Sequence, residues 1–364
     1  MVDRAHALGL RAGWYMGNYQ CGEGMGGLRW NLTRLAEGSV RAVREYGFES
    51  VKLDSGFPVG KNLSLWAQLL NSSGRPVMIE NCHQGAEGPG MDDPNSGRCT
   101  GLGEPSDCPF NFWRTTGDPE PDWRTIMREL NSLRKVENAQ YPSGKRKGAP
   151  EYNSDPPLSR PGAWAYPGTM VVGDGSLTKD ENRVHFGAWC IVSSPLILAY
   201  NLSSPAEREL VWDIVTNKEA IQVNQALAGH PGRQVLVGLG SNGAVEVWAK
   251  PVGEAGLAVL VVNTEDRRGG LRGPAPPPPA ASVAIELTAL NVSGRRRVRD
   301  VWAKRYLPDA EGTLSVRVPY HACAFFVLVP PGVPWPVPFR LAPWMRDRPG
   351  ARPTSAPARG ELFA

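Results

Sequence analysis

The chain has 364 residues, 41% hydrophobic and 21% charged, with a net charge of +4. That length supports two domains, and the composition is that of a globular protein with a sizeable core. The charge is too small and too dispersed for a nucleic-acid groove, and no apolar run reaches the ~20 residues that a membrane-spanning helix needs. The basic runs Lys145-Arg146-Lys147 and Arg295-Arg296-Arg297 read as solvated loop faces.

Residues 1–8 read as the last turns of a helix, closed by Gly9. A strand–helix alternation then begins. Residues 10–16 predict a strand and 33–46 a helix; 50–54 predict a strand and 62–70 a helix. Residues 76–80 predict a strand, followed by a Gly-rich loop that carries Cys82 and Cys99. Residues 112–118 predict a strand, 122–136 a helix, 168–173 a strand and 178–193 a helix. The last unit is a strand over 195–200 with a Pro-initiated helix over 205–216. This spacing implies parallel βα units. Six are present, whereas a closed (β/α)₈ barrel has eight. The arithmetic predicts a barrel that lacks its first two units. An open doubly wound sheet could use six strands, but no G-x-G-x-x-G turn follows the first.

Near Gly229-His230-Pro231-Gly232 the pattern changes to short strands without helices, at 234–238, 244–248, 257–262, 283–287, 298–302, 314–318 and 323–328. Their alternation predicts half-buried antiparallel strands in a β-sandwich. The expected fold class is therefore α/β. A (β/α)₈ TIM barrel without its first two βα units spans 1–229, and an antiparallel β-sandwich spans 230–330. A Pro/Arg-rich tail over 331–364 is expected to be disordered.

In such a barrel the catalytic groups sit at the C-terminal strand ends. Here those ends carry Tyr15, Lys52 with Asp54, the turn Glu80-Asn81-Cys82-His83, Arg114 with Asp118, and Asp174. Lys52 and Asp54 alternate onto the same face of their strand. Taken alone, Asp54 could simply cap the turn that follows; Asp118 repeats the arrangement. Two strand-end carboxylates suit glycoside hydrolysis, in which one attacks the anomeric carbon and the other protonates the leaving oxygen. A separation of roughly 5–5.5 Å would retain configuration. Lys52 would keep Asp54 ionised as the nucleophile, and Asp118 would serve as acid and then base.

Several motifs sharpen this expectation. Val51-Lys52-Leu53-Asp54, the segment from Cys108 to Asp118, the turn Pro161-Gly162-Ala163-Trp164, and the segments 188–196 and 213–224 resemble glycoside hydrolase family 27, the α-galactosidases. Asp300-Val301-Trp302-Ala303 and Val318-Pro319-Tyr320-His321-Ala322 are similar too. The resemblance runs over about residues 1–329 and implies a retaining exo-glycosidase acting on terminal α-galactosides without metal or cofactor. It makes Asp54 the nucleophile and Asp118 the acid/base, with Tyr15, Lys52, His83 and Arg114 contacting the sugar. It also implies a Cys82–Cys108 disulfide, preferred to a zinc site because the spacing of Cys82, His83, Cys99 and Cys108 fits no ordinary zinc pattern. Trp113 and Trp164 are placed for sugar stacking, Cys190 and Cys323 as buried thiols. The expected partner is a carbohydrate, not nucleic acid or membrane, and a homodimer is admitted.

Four departures from the family pattern bear on specificity. The opening strands, with their aromatic wall and Asp pair, have no counterpart. Gly56 replaces the cysteine that would bridge to Cys21. His83 stands where a Glu reads the sugar 2-hydroxyl, with Glu80 one strand repeat earlier as a substitute. Ala165-Tyr166-Pro167-Gly168 replaces Asn-Asp-Pro-Asp. Asp92-Asp93 reads as turn chemistry rather than as the missing pair. The changed positions widen the expected substrates to α-N-acetylgalactosaminides or β-L-arabinopyranosides, with a non-hydrolytic glycan-binding relative as the alternative class. Five acceptor sequons, at Asn31, Asn62, Asn71, Asn201 and Asn291, point to the secretory pathway, ending in a lysosome, a vacuole or outside the cell. The expected signal peptide would precede Met1.

Overall fold

The computed structural model describes residues 1–17, 32–54, 62–82, 108–133, 157, 159–266 and 278–337. His83, Asp92, Asp93, Cys21 and Cys99, all named above, lie outside the described residues.

The first half alternates strands and helices. After α1 (Val2–Ala7) come β1 (Gly13–Gly17), α2 (Leu32–Tyr46), β2 (Ser50–Asp54), α3 (Leu63–Asn71), β3 (Met78–Cys82), β4 (Phe112–Arg114), α4 (Trp123–Ser132) and β5 (Trp164–Tyr166). Helices α5 (Lys179–Ile191), α6 (Pro205–Val215) and α7 (Lys218–Gln225) follow. Their starts are set by short polar side chains that accept the first free backbone N–H groups. Asn62 Oδ1 accepts from Leu65 N at 3.0 Å. Asp122 Oδ1 accepts from Arg124 N and Thr125 N. Thr178 and Glu181 form a reciprocal capping box at α5.

Strands β1 to β5 form one parallel sheet in chain order. The register aligns Tyr15, Lys52, Glu80 and Phe112 in one row, and Gly17, Asp54 and Cys82 in the next. The opposite face is apolar. Val51, Leu53, Ile79 and Trp113 pack there in one core with Val40, Val43, Trp66, Leu70, Met127 and Leu130 of the helices.

Two expected strands are corrected. The fifth strand is Trp164–Tyr166, not 168–173, because Thr115 N and Trp164 N extend the ladder between β4 and β5. Residues 168–173 and 195–200 meet only in a parallel bridge between Met170 and Leu198.

The second half is antiparallel. Strands β6 (Arg233–Leu239), β7 (Val245–Pro251), β8 (Leu257–Asn263), β10 (Arg296–Asp300), β11 (Arg305–Ala310) and β13 (Cys323–Val329) form a sheet in the order β11-β10-β13-β8-β7-β6. The pair β9 (Ala281–Glu286) and β12 (Thr313–Val318) covers it. Val247, Val259, Val261, Val283, Ile285, Val316 and Phe326 fill the space between them. The edge strand β11 was missed because Pro308 interrupts its pattern, and an edge is where a sheet tolerates proline.

The two halves share the larger core. Gly187 on α5 lies so close to the β-domain that a Cβ there would stand 3.1 Å from Trp302 Cζ2 and 3.2 Å from Leu260 Cδ1. Arg299 forks onto Glu219 of α7, with Nη2–Oε1 at 2.6 Å and Nε–Oε2 at 3.0 Å. The Lys250 ammonium donates to the carbonyls of Val223 and Asn224 at the end of α7. His321 Nδ1 lies 2.7 Å from Glu181 Oε1, and its ring stacks on Trp123 at 4.1 Å. Burial works against the Glu181 charge, yet hydrogen bonds from His321 and Thr178 hold its carboxyl below the usual range.

The expected disorder from 331 onward is corrected for its first residues. Trp335 is buried in the core shared by the two halves, and its carbonyl accepts from Tyr306 Oη at 2.8 Å. Residues 338–364 lie outside the described residues.

Candidate active site

The C-terminal ends of β1 to β4 bring together five of the expected residues. Tyr15, Lys52 and Asp54 are neighbours across β1 and β2, and Arg114 closes β4. Tyr15 Oη donates to Asp54 Oδ2 at 2.6 Å. That bond, with the Asp54 charge and partial burial, pushes the Tyr15 phenol far above its ordinary value, so it stays a donor. The Lys52 ammonium lies 5.1 Å from the centre of the Tyr15 ring, within cation–π range.

Arg114 is nearly sealed, with a side chain 1% exposed, yet its guanidinium reaches an open carboxylate. Nη1 donates to Asp118 Oδ1 at 2.6 Å, and Nη2 donates to the Gly117 carbonyl. Asp118 itself is 71% exposed at the side chain. Helix α4 supports the segment from behind. Arg128 Nη2 donates to the Asp118 carbonyl, and Thr115 Oγ1 lies 2.5 Å from Ser132 Oγ.

The expected Cys82–Cys108 disulfide is overturned. Cys82 is a free, buried thiol. Its sulfur accepts from Arg114 Nη1 at 3.5 Å, which commits it to the inward row beside the site. Burial raises its pKa, against the nearby Arg114 and Lys52 charges. Cys108 is disulfide-bonded, and since Cys82, Cys190 and Cys323 are all free, its partner is outside the described residues. Cys190 is buried, and Cys323 is partly so.

Two other expectations move away from the site. Trp113 faces the helices, fully buried and edge-on to Phe110, because Arg114 takes the inward direction. Asp174 accepts from the backbone N and the hydroxyl of Ser176, so it closes its own turn. Among the described residues there is no cluster of three or more potential metal ligands, and no helix is long and apolar enough to cross a membrane.

Two buried carboxyls stand at or behind the site: Glu80, named above as a substitute reader of the sugar, and Glu129, which no motif signals. Glu80 shares the inward face of β3 with Cys82, which two-residue spacing could have signalled. Burial pushes it up to about 7, although Lys52 and Arg114 pull it down. Glu129 on α4 is fully buried, and neither carboxyl oxygen has a hydrogen-bond partner. Burial holds it well above the usual carboxylate range. Its Oε1 would lie 2.8 Å from a Cβ at Gly168, so the missing side chain there makes room for it. No local pattern announces that contact.

Comparison with known proteins agrees with this architecture. The family profile described as alpha galactosidase A matches residues 1–226, and that of the alpha galactosidase C-terminal beta sandwich domain matches 242–328. An alpha-galactosidase of Cyamopsis tetragonoloba is 26% identical over 338 residues, covering 91% of this chain and 69% of the relative. Alpha-galactosidase 2 of Arabidopsis thaliana is 28% identical over 340 residues, covering 90% and 71%. An alpha-N-acetylgalactosaminidase of Gallus gallus is 27% identical over 268 residues, covering 71% and 58%. Among solved structures, alpha-galactosidase I from Mortierella vinacea superposes with a TM-score of 0.65 at 22% identity, covering 90% of this chain and 78% of that one. A family 27 β-L-arabinopyranosidase from Geobacillus stearothermophilus gives 0.65 at 19% identity, covering 91% and 76%. With one profile matching more than half of it and the second matching its sandwich, the chain belongs to glycoside hydrolase family 27, the α-galactosidase family.

Proposed function

We propose that the protein is a retaining exo-glycosidase that removes terminal α-D-galactosyl residues by a two-carboxylate double displacement. The observation that carries this reading is the pair of carboxylates at the end of β2 and in the loop just past β4, each fixed by its own donor: Tyr15 on Asp54 and Arg114 on Asp118. Asp54 attacks the anomeric carbon while Asp118 gives its proton to the departing oxygen. Tyr15 orients the attacking carboxylate and, remaining protonated, withdraws no charge from it. In the second half Asp118 takes the proton of the incoming water, which releases the sugar from Asp54 with its configuration retained. Arg114 anchors one oxygen of Asp118 and leaves the other for the proton.

The test is release of nitrophenol from an aryl α-galactoside. Asp54→Ala should lower turnover about 10⁴-fold or more, and azide should restore it with inverted product. A fully folded chain that is silent on every α-galactoside, α-N-acetylgalactosaminide and β-L-arabinopyranoside tried would overturn the proposal. The latter two substrates form the second reading, supported by the α-N-acetylgalactosaminidase and β-L-arabinopyranosidase relatives. We also propose a secretory-pathway location. The sequon residues Asn62, Asn71, Asn201 and Asn291 are all exposed, and a mass shift on enzymatic deglycosylation after expression in eukaryotic cells would test it.

A further inference from the structure

The sandwich half reaches the segment that carries Asp118. Helix α4 begins at Trp123, and between the two Pro119 and Pro121 fix their own φ and stiffen the link. The link is pinned along its length. Ser176 Oγ donates to the Pro121 carbonyl at 2.9 Å, Asp122 caps α4, and Arg128 Nη2 donates to the Asp118 carbonyl at 3.3 Å. Trp123 itself rests on the other half of the molecule. The His321 ring stacks on it at 4.1 Å and 18°, and Tyr320 also stacks on His321, at 3.8 Å and 16°. Arg124 Nε reaches Asp266, just past β8, at 2.6 Å, a second tie from the start of α4. His321 lies in the turn between β12 and β13, where its backbone takes the left-handed region with φ 51°. Its Nδ1 is 2.7 Å from Glu181 Oε1, and the other Glu181 oxygen accepts from Thr178 N and Oγ1. The ring is thus fixed against both α4 and α5.

Asp118 needs such support more than Asp54 does. Asp54 belongs to a strand with register partners on both sides. Asp118 lies past the end of β4, and its side chain is 71% exposed. A general acid works only within hydrogen-bond reach of the departing oxygen, and a misplacement of about 1 Å can cost about 100-fold. Resting on the glycosidase reading above, we infer that His321 of the sandwich is a positioning residue for the acid/base: stacked on Trp123, it holds the segment 118–123 where Asp118 meets the leaving group. It acts through Asp118 and not on the sugar. The sandwich thereby takes part in the proton transfer and not in the attack by Asp54.

The experiment compares kcat/KM of the full chain on two α-galactosides that differ in their need for a proton. Dinitrophenolate departs without one, whereas the methoxide of methyl α-D-galactoside needs one from Asp118. His321→Asn keeps a donor for Glu181 and suits the left-handed backbone, but it removes the stacking ring. It should lose about tenfold more on the methyl galactoside than on the dinitrophenyl one. Simple loss of stability would lower both alike. Asp118→Ala should show the same bias at larger size, and its absence there would remove the acid/base assignment and this inference with it. Equal losses on the two substrates, or none, in a folded His321→Asn would overturn the positioning role and leave the glycosidase reading intact. A wild-type chain that hydrolyses neither galactoside would remove both. Should His321→Asn fail to fold, Tyr320→Leu, which removes the half-buried ring stacked on His321, should show the same bias at smaller size, and equal losses there would overturn the role as surely.

Discussion

Strand β9 alternates buried and exposed residues one by one, so that Ala281, Val283 and Ile285 meet the opposing sheet while Ser282, Ala284 and Glu286 face water. The same two-residue period in β1 to β4 puts Tyr15, Lys52, Asp54, Glu80, Cys82 and Arg114 on one face. One sheet uses its inner face to exclude water from hydrocarbon, the other to crowd charges together. The cost of the second arrangement is visible in its buried, unmatched atoms. On that face Glu80 Oε1 and the Arg114 Nε lack partners; elsewhere so do both oxygens of Glu129 on α4, both ring nitrogens of His185 on α5 and, in the sandwich half, His321 Nε2. Burial even holds His185 neutral, down to about 3. The difference locates stability in the sandwich and its junction, and chemistry in the parallel sheet.

The sharpest way to break the comparison is at the junction. Phe325 is fully buried on β13, 5.7 Å from the Trp302 ring. Phe325→Ala should cost about 4 kcal/mol in denaturant unfolding, as large-to-small core changes do.

The next effect belongs to the barrel sheet and depends on pH. The folded state holds Glu80 at about 7, above the usual value of 4.5, so the folded protein keeps a proton that the unfolded chain releases. This contribution is intact below about pH 4.5 and is lost as pH rises through about 7, by about 3 kcal/mol in all. Glu80→Gln should flatten that part of the stability–pH curve, measured by thermal or urea unfolding.

A smaller effect tests whether Glu129 and Gly168 are coupled. Gly168→Ala forces a Cβ to within 2.8 Å of Glu129 Oε1 and should destabilise by about 2 kcal/mol. The same change in a Glu129→Ala background should cost less, and a double-mutant cycle measures the difference. The smallest effect lies on the sandwich surface. Arg295 and Asp309 pair at 2.7 Å in the open, and Asp309→Ala should change stability by less than about 1 kcal/mol.

Much of this arrangement was legible in the sequence. Helix α2 announces itself by its apolar stripe, α3 to α6 by their capping residues, and Lys52 with Asp54 by their shared strand face. The exceptions have physical causes. β5 is only three residues long, between Gly162 and Pro167, too short to show a period. β11 carries a proline. Helix α7 follows α6 after only Thr216 and Asn217, and the expected helix over 205–216 stopped short of it; Asn217, which caps α7, is the signal for it. The Cys82–Cys108 pairing failed because a pattern borrowed from relatives takes no account of Arg114, which engages the Cys82 sulfur here. The Glu129–Gly168 contact joins residues far apart in the chain, brought together only by tertiary packing.

The close approach of Gly187 to Trp302 and Leu260 has a consequence for how the molecule comes apart. A helix that lies without side-chain padding on β8 and the turn after β10 cannot leave them without opening the core that both halves share. The break in pattern near residue 230 divides two topologies but not two cooperative units. Heat or denaturant should therefore dissolve barrel and sandwich in a single transition. Cutting the chain there would leave each piece with an apolar face and nothing to cover it.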